Sequence, residues 1–195
     1  MSDLDRRRFL GSVAAAVPAT KLAHFAARQP AQPAPQPLDD ELVHALGTGV
    51  LPAELGNAHI ERVVRNFQRW LDSYAPNAEL NHGYGTGDIG YAPEDPSPRW
   101  SDQLTRLDRD ARQQFQTGFA ELDVASKQSL VRRHIADGRL DRLPLPHQAD
   151  HVAVGLLSLF YASADATDLC YERAIGKNSC RPLSRSLDEP GPRGA

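Results

Sequence analysis

Between Asn57 and Tyr74 the apolar residues recur at helical spacing. Ile60, Val63, Val64, Phe67, Leu71 and Tyr74 lie three or four positions apart and form one stripe, while Arg62, Arg65, Gln68, Arg69 and Asp72 mark the opposite side. A strand alternates its side chains between two faces and would scatter this set. The stripe therefore predicts an amphipathic helix, entered through Asn57 as its N-cap and ended by Pro76. A helix with one apolar face needs other elements to cover it.

The flanking sequence supplies them. Leu38, Leu42, Val43 and Leu46 share a helical face behind Asp39, Asp40 and Glu41, whose charges suit the exposed N–H groups of a helix start. Gly47 and Gly49 weaken the end of that segment and Leu51-Pro52 closes it. Trp100, Leu104, Leu107, Ala111, Phe115, Phe119 and Leu122 predict a third helix, opened at Ser97-Pro98 or Ser101. Asp123 caps a fourth, which carries Leu130, Val131 and Ile135 and stops at Asp137-Gly138. A last long helix is expected from His147 to Tyr171, with Val152, Leu156, Leu159, Phe160, Ser163 and Thr167 on one broad face. No alternating run rich in Val, Ile or Thr occurs. The expected fold is all-α, a compact bundle of about five helices.

Residues 75–99 break the pattern, with four Gly and four Pro among twenty-five residues. A loop of this length inside a domain is functional or disordered. Its Gly-Tyr-Gly-Thr-Gly has neither the preceding strand nor the following helix of a phosphate loop. Tyr84, Tyr91 and Trp100 are large apolar anchors, and the expectation is that this segment orders against a partner.

The N-terminal stretch has a different character. Arg6-Arg7-Arg8-Phe9-Leu10 matches the core of a twin-arginine export signal, and Gly11–Ala19 is an uncharged, mildly apolar run of nine residues. That is shorter than the roughly 20 residues needed to span a bilayer. Residues 28–37 (RQPAQPAPQP) form a Pro/Gln-rich tether. The expected organisation is a signal segment at 1–27, the tether at 28–37, one helical domain at 38–180 and a flexible tail at 181–195. The signal implies a periplasmic or otherwise exported protein that engages the twin-arginine translocase. The first 28 residues carry five basic and two acidic side chains, which leaves 17 Lys/Arg against 23 Asp/Glu and a net charge of −6 for the remainder. An acidic body argues against nucleic acid as a partner.

Candidate chemistry is sparse. His147 and His151 stand four residues apart, a spacing used by metal sites, but no glutamate of an H-E-x-x-H motif lies between them and no third ligand follows. His134 and His82 read as isolated. No nucleophile elbow, dinucleotide fingerprint, haem motif or iron–sulfur cysteine set is present. The expectation is a non-catalytic chain that binds no cofactor or metal of its own. In an exported protein Cys170 and Cys180 read as one disulfide, with a bridge from one of them to a partner as the alternative. Why a small chain without a cofactor should use a route for folded proteins has one economical answer: it carries a larger, cofactor-loaded partner.

The order of motifs resembles the gluconate 2-dehydrogenase subunit 3 family. It runs from Arg6-Arg7-Arg8-Phe9-Leu10 through Val50-Leu51-Pro52 and the amphipathic helix to Trp70-Leu71. It continues with Phe115-Gln116-Thr117-Gly118-Phe119-Ala120-Glu121-Leu122-Asp123 and ends in the loop Tyr171 to Asn178, covering residues 5 to 180. The resemblance implies a small subunit that exports and stabilises an FAD-containing catalytic subunit of the glucose–methanol–choline oxidoreductase type. Such complexes oxidise sugars, sugar acids or polyols, often with a membrane cytochrome c subunit. Gly176-Lys177-Asn178 stands where family loops read Gly-Gly-Asn, and the 75–99 segment and the two cysteines are less typical. The alternative is a self-contained periplasmic enzyme, or a secreted binding module, using the 75–99 loop with His147 and His151.

Overall fold

Asp39 opens the first helix in the way its position suggests: its Oδ1 accepts from the Leu42 N–H at 3.0 Å. From there a computed structural model describes residues 37–80, 89–135, 142–175, 184 and 187–192. Among the described residues six α-helices follow one another: α1 Asp40–Val50, α2 Asn57–Asp72, α3 Ser97–Phe115, α4 Val124–Ile135, α5 Val152–Tyr161 and α6 Ala164–Tyr171. Single 3-10 turns lie at Ala53–Leu55, Phe119–Glu121 and Pro146–Gln148. Among the described residues the only extended pairings are two isolated antiparallel bridges, Glu79 with Tyr91 and Arg173 with Pro192. The fold is all-α.

α1 is the hub, touching α2, α3, α4 and α5. Its two glycines are part of the reason. Gly47 and Gly49 are buried inside the helix, and a β-carbon at Gly49 would sit 3.0 Å from Lys127 of α4, so they permit close approach rather than ending the element. The stripe on α2 is buried as expected: Ile60, Val63, Val64, Phe67 and Leu71 are each at most 5 % exposed. Its N-cap is Gly56 rather than Asn57, which becomes the first helical residue.

α3 contributes the largest core side chain. Trp100 is fully buried and stacks on Phe67 at 5.4 Å between ring centroids, with Trp70 at 6.2 Å. Burying each such ring stabilises the fold by about 2–3 kcal/mol. α3 is shorter than its periodicity predicts. It ends at Phe115 because Gln116 turns left-handed (φ 60°), and Phe119 reaches the core from the following 3-10 turn instead. Asp108 holds that turn: its Oδ1 accepts from the Phe119 N–H at 2.9 Å, and Oδ2 accepts from Arg112 at 2.9 Å.

The long C-terminal helix is divided. Residues 146–151 form a 3-10 turn and an extended entry, α5 begins only at Val152, and a bend of 68° separates α5 from α6. Ser163 makes the break. Its hydroxyl donates to the Phe160 carbonyl at 2.6 Å and accepts from the Ala166 N–H at 3.3 Å, so it caps the new helix instead of lying on a continuous face. No single described helix is long and apolar enough to cross a membrane.

Candidate functional site

Titratable side chains from three elements come together where α3, α4 and the entry to α5 meet. The extended entry is tied to α3 by side-chain bonds to its backbone. Arg99 donates to the Ala149 carbonyl at 2.8 Å, and Gln103 donates to the Asp150 carbonyl at 2.7 Å. The Gln103 carbonyl oxygen also accepts from the Val152 N–H at 2.8 Å. A side chain on one helix thus satisfies backbone groups left open where another begins.

His151 is the N-cap of α5. Its Nδ1 accepts from the Ala153 N–H at 3.1 Å, and the residue is 8 % exposed. An imidazole nitrogen that accepts carries no proton, so the neutral ring has its proton on Nε2. That Nε2 is buried without a partner among the described residues, as is Nε2 of His147. Burial first, and the charge of His134 second, push the His151 pKa down to about 4.

His134, at the end of α4, bonds through Nε2 to Asp110 Oδ2 of α3 at 3.0 Å, and its ring lies edge-on to that of His151 with centroids 6.3 Å apart. Burial pushes the Asp110 carboxyl up, but hydrogen bonds from Arg109 and His134 outweigh it and hold the group below the usual carboxylate range. His134 and Asp110 line an open groove of about 470 Å³ with Gln113, Gln114, Leu130 and Arg133, and Arg133 donates to the Gln114 side chain. A carboxylate that fixes an imidazole in this way leaves Nδ1 as the nitrogen available to a ligand or a proton.

The sequence reading placed these groups differently. His134, expected to be isolated, is paired, and its partner is Asp110 of α3. They are 24 positions apart on different helices, so no local motif marks them. His147 and His151 do not share a helical face, because α5 starts after both. A metal on His151 Nε2 would compete with the cap, since Nδ1 is already engaged. No group of three His, Cys, Asp or Glu side chains is arranged to hold a metal among the described residues.

Of the residues expected at a partner surface, Tyr91 is 56 % exposed, and Trp100 is corrected to a core residue at 0 %. Tyr84, the signal residues Arg6, Arg7, Phe9 and Leu10, and Cys180 lie outside the described residues. The described flanks of the 75–99 segment are tied together. Asn77 N–H donates to the Ala92 carbonyl at 2.9 Å, Ala92 N–H to Ala78 at 2.8 Å and Leu80 N–H to Gly90 at 2.8 Å. The Tyr74 hydroxyl donates to the Pro93 carbonyl at 3.0 Å, and burial followed by the charge of Asp95 raises its pKa. Cys170 is exposed with no disulfide among the described residues. After Cys170 the helix ends at Glu172, which turns left-handed (φ 53°), and Ala174 N–H then bonds to the Gly191 carbonyl at 2.8 Å. This course leaves the thiol facing solvent.

Comparison with protein-family models, with curated proteins and with solved structures returns no match to this chain. The functional reading therefore rests on the residues themselves.

Proposed function

We propose that this chain is the non-catalytic small subunit of an exported, FAD-dependent dehydrogenase of the glucose–methanol–choline type that acts on a sugar, sugar acid or polyol. In this reading it escorts the flavoprotein through the twin-arginine translocase and stabilises it on the periplasmic side, where a cytochrome c subunit receives the electrons. The observation that carries it is the Arg6-Arg7-Arg8-Phe9-Leu10 motif followed by an uncharged apolar run and a Pro-rich tether. Support comes from the order of family-like motifs along residues 5 to 180. Further support comes from the large side chains held out of the core, Tyr91, Tyr161 and Tyr171, each more than half exposed, since aromatic side chains dominate binding energetics.

Replacing Arg6 and Arg7 together by Lys tests the carrier role. Both this chain and its flavoprotein are expected to stay in the cytoplasm, and normal export of the flavoprotein would refute the proposal. The His134–Asp110 pair beside an open groove is the one observation that favours a self-contained exported enzyme. Catalytic turnover by the purified chain alone, lost in His134→Ala, would establish that reading instead.

A further inference from the structure

We propose that the entry to α5 is an acid-released latch, in which protonation of His151 frees residues 146–153 from α3 while the rest of the bundle stays folded. Three features of the geometry carry this. The cap depends on a bare Nδ1: the Ala153 N–H at 3.1 Å has no other acceptor among the described residues, and a protonated imidazole has two donors and no acceptor. The ring is buried, so the added charge has no water to stabilise it. The charge would also arise at the N-terminus of a helix, where the backbone dipoles already present positive potential.

The surrounding charges reinforce the effect. Asp110 and Arg99 come from α3, His134 from α4, and His147 and Asp150 from the segment itself. Asp110 is committed to His134 and Arg109, and Asp150 faces Arg99 at 3.7 Å, so neither carboxylate is placed to neutralise His151. Burial acts on His151 first, and of these groups His134 acts on it next, repelling a second charge.

The sign follows from linkage. The closed latch binds a proton on His151 more weakly than the open segment does, so acidification favours opening. The effect begins as pH falls through the ordinary histidine value of about 6.5 and is complete below the depressed one. Ala149, Val152 and Ala153 of the latch are themselves core residues, so opening exposes them, while the apolar contacts among α1, α2 and α3 do not titrate and keep the rest of the bundle closed.

The test is hydrogen exchange on the full chain, corrected for the intrinsic pH dependence of exchange, together with ¹⁵N spectra of the imidazoles from about pH 7 to about pH 4. Val152 and Ala153 amides are expected to lose protection in step with His151 titration, while Val64 and Phe67 in α2 keep theirs. His151→Asn, which can still cap, should abolish the acid-dependent loss. His134→Gln, which removes the repelling charge, should move the midpoint to higher pH, and this second variant serves if the first does not fold. Titration of His151 at the ordinary histidine value would overturn the proposal. So would acid loss of protection that persists in His151→Asn, or a midpoint unmoved by His134→Gln.

Discussion

Gly155→Ala should destabilise the fold through one contact. Gly155 lies in the buried face of α5 against Trp100 of α3, and a β-carbon there would sit 2.7 Å from both Cη2 and Cζ2 of the indole. Carbon atoms pack best at about 3.5–4.0 Å, so nearly 1 Å of separation must be found. The indole cannot easily supply it, because Trp100 is fully buried with Phe67 and Trp70 behind it at 5.4 and 6.2 Å. Overpacking costs about 1–3 kcal/mol, and a clash of nearly 1 Å against a fully buried ring lies in the upper part of that range, about 2–3 kcal/mol. Alanine restores roughly 1 kcal/mol through its better helix propensity, so a net loss of about 1–2 kcal/mol is expected. Urea unfolding followed by far-UV circular dichroism measures the loss, and near-UV circular dichroism reports the disturbed indole. The cause is isolated by repeating the substitution in Trp100→Phe, whose smaller ring lacks both clashing atoms. In that background Gly155→Ala should be neutral or stabilising, a coupling of about 1–3 kcal/mol. Equal cost in both backgrounds, or a Gly155→Ala protein as stable as the parent, would refute the steric argument.

Two further outcomes follow. Burial raises the Asp108 carboxyl, but the bonds from Arg112 and the Phe119 N–H outweigh it and leave the pKa lowered, so its contribution is present above the unfolded value near 3.8 and is lost as pH falls below it. Asp108→Ala should therefore cost about 1 kcal/mol at neutral pH, through the unsatisfied Phe119 N–H, and the gap to the parent should close in strong acid; a gap constant with pH would count against the account. Cys170 should react rapidly with a thiol reagent in the folded, unreduced protein because its side chain is exposed, whereas protection that disappears only on reduction would show that it is bridged after all.

The helices were legible to different degrees, for physical reasons. α1, α2 and α4 start close to the residues that periodicity and capping chemistry indicate, and at α1 and α4 Asp39 and Asp123 accept from amides three residues on whatever lies around them. α2 ends at Asp72, before Tyr74 and Pro76, and the expected stop of α4 at Asp137-Gly138 lies outside the described residues. α3 and the C-terminal helix were read too long. Phe119 and Thr167 keep helical spacing from their neighbours, yet Gln116 adopts a left-handed conformation and Ser163 bonds back to Phe160, and spacing does not record either choice. The aromatic residues proposed for a partner surface divide for a similar reason. Trp100 and Tyr91 are both large and apolar, but one sits on the core face of α3 and the other at an exposed bridge with Glu79.

The candidate site was the least legible part. Asp110 and His134 each occupy an unremarkable position on a charged helix face, and they become a pair only when α3 and α4 pack side by side. His151 was noticed for its distance from His147 along the chain, whereas its role depends on α5 beginning one residue later. By itself the sequence determined the all-helical class and the faces that would be buried. Those depend on side-chain period and on local hydrogen bonds, which are written along the chain. Only the tertiary structure decided which helix each face meets, where the terminal helix breaks, that Gly155 must stay small beneath Trp100, and that two histidines from separate elements share one buried corner. Those outcomes depend on distances across the core between residues far apart in sequence, and no local pattern encodes such a distance.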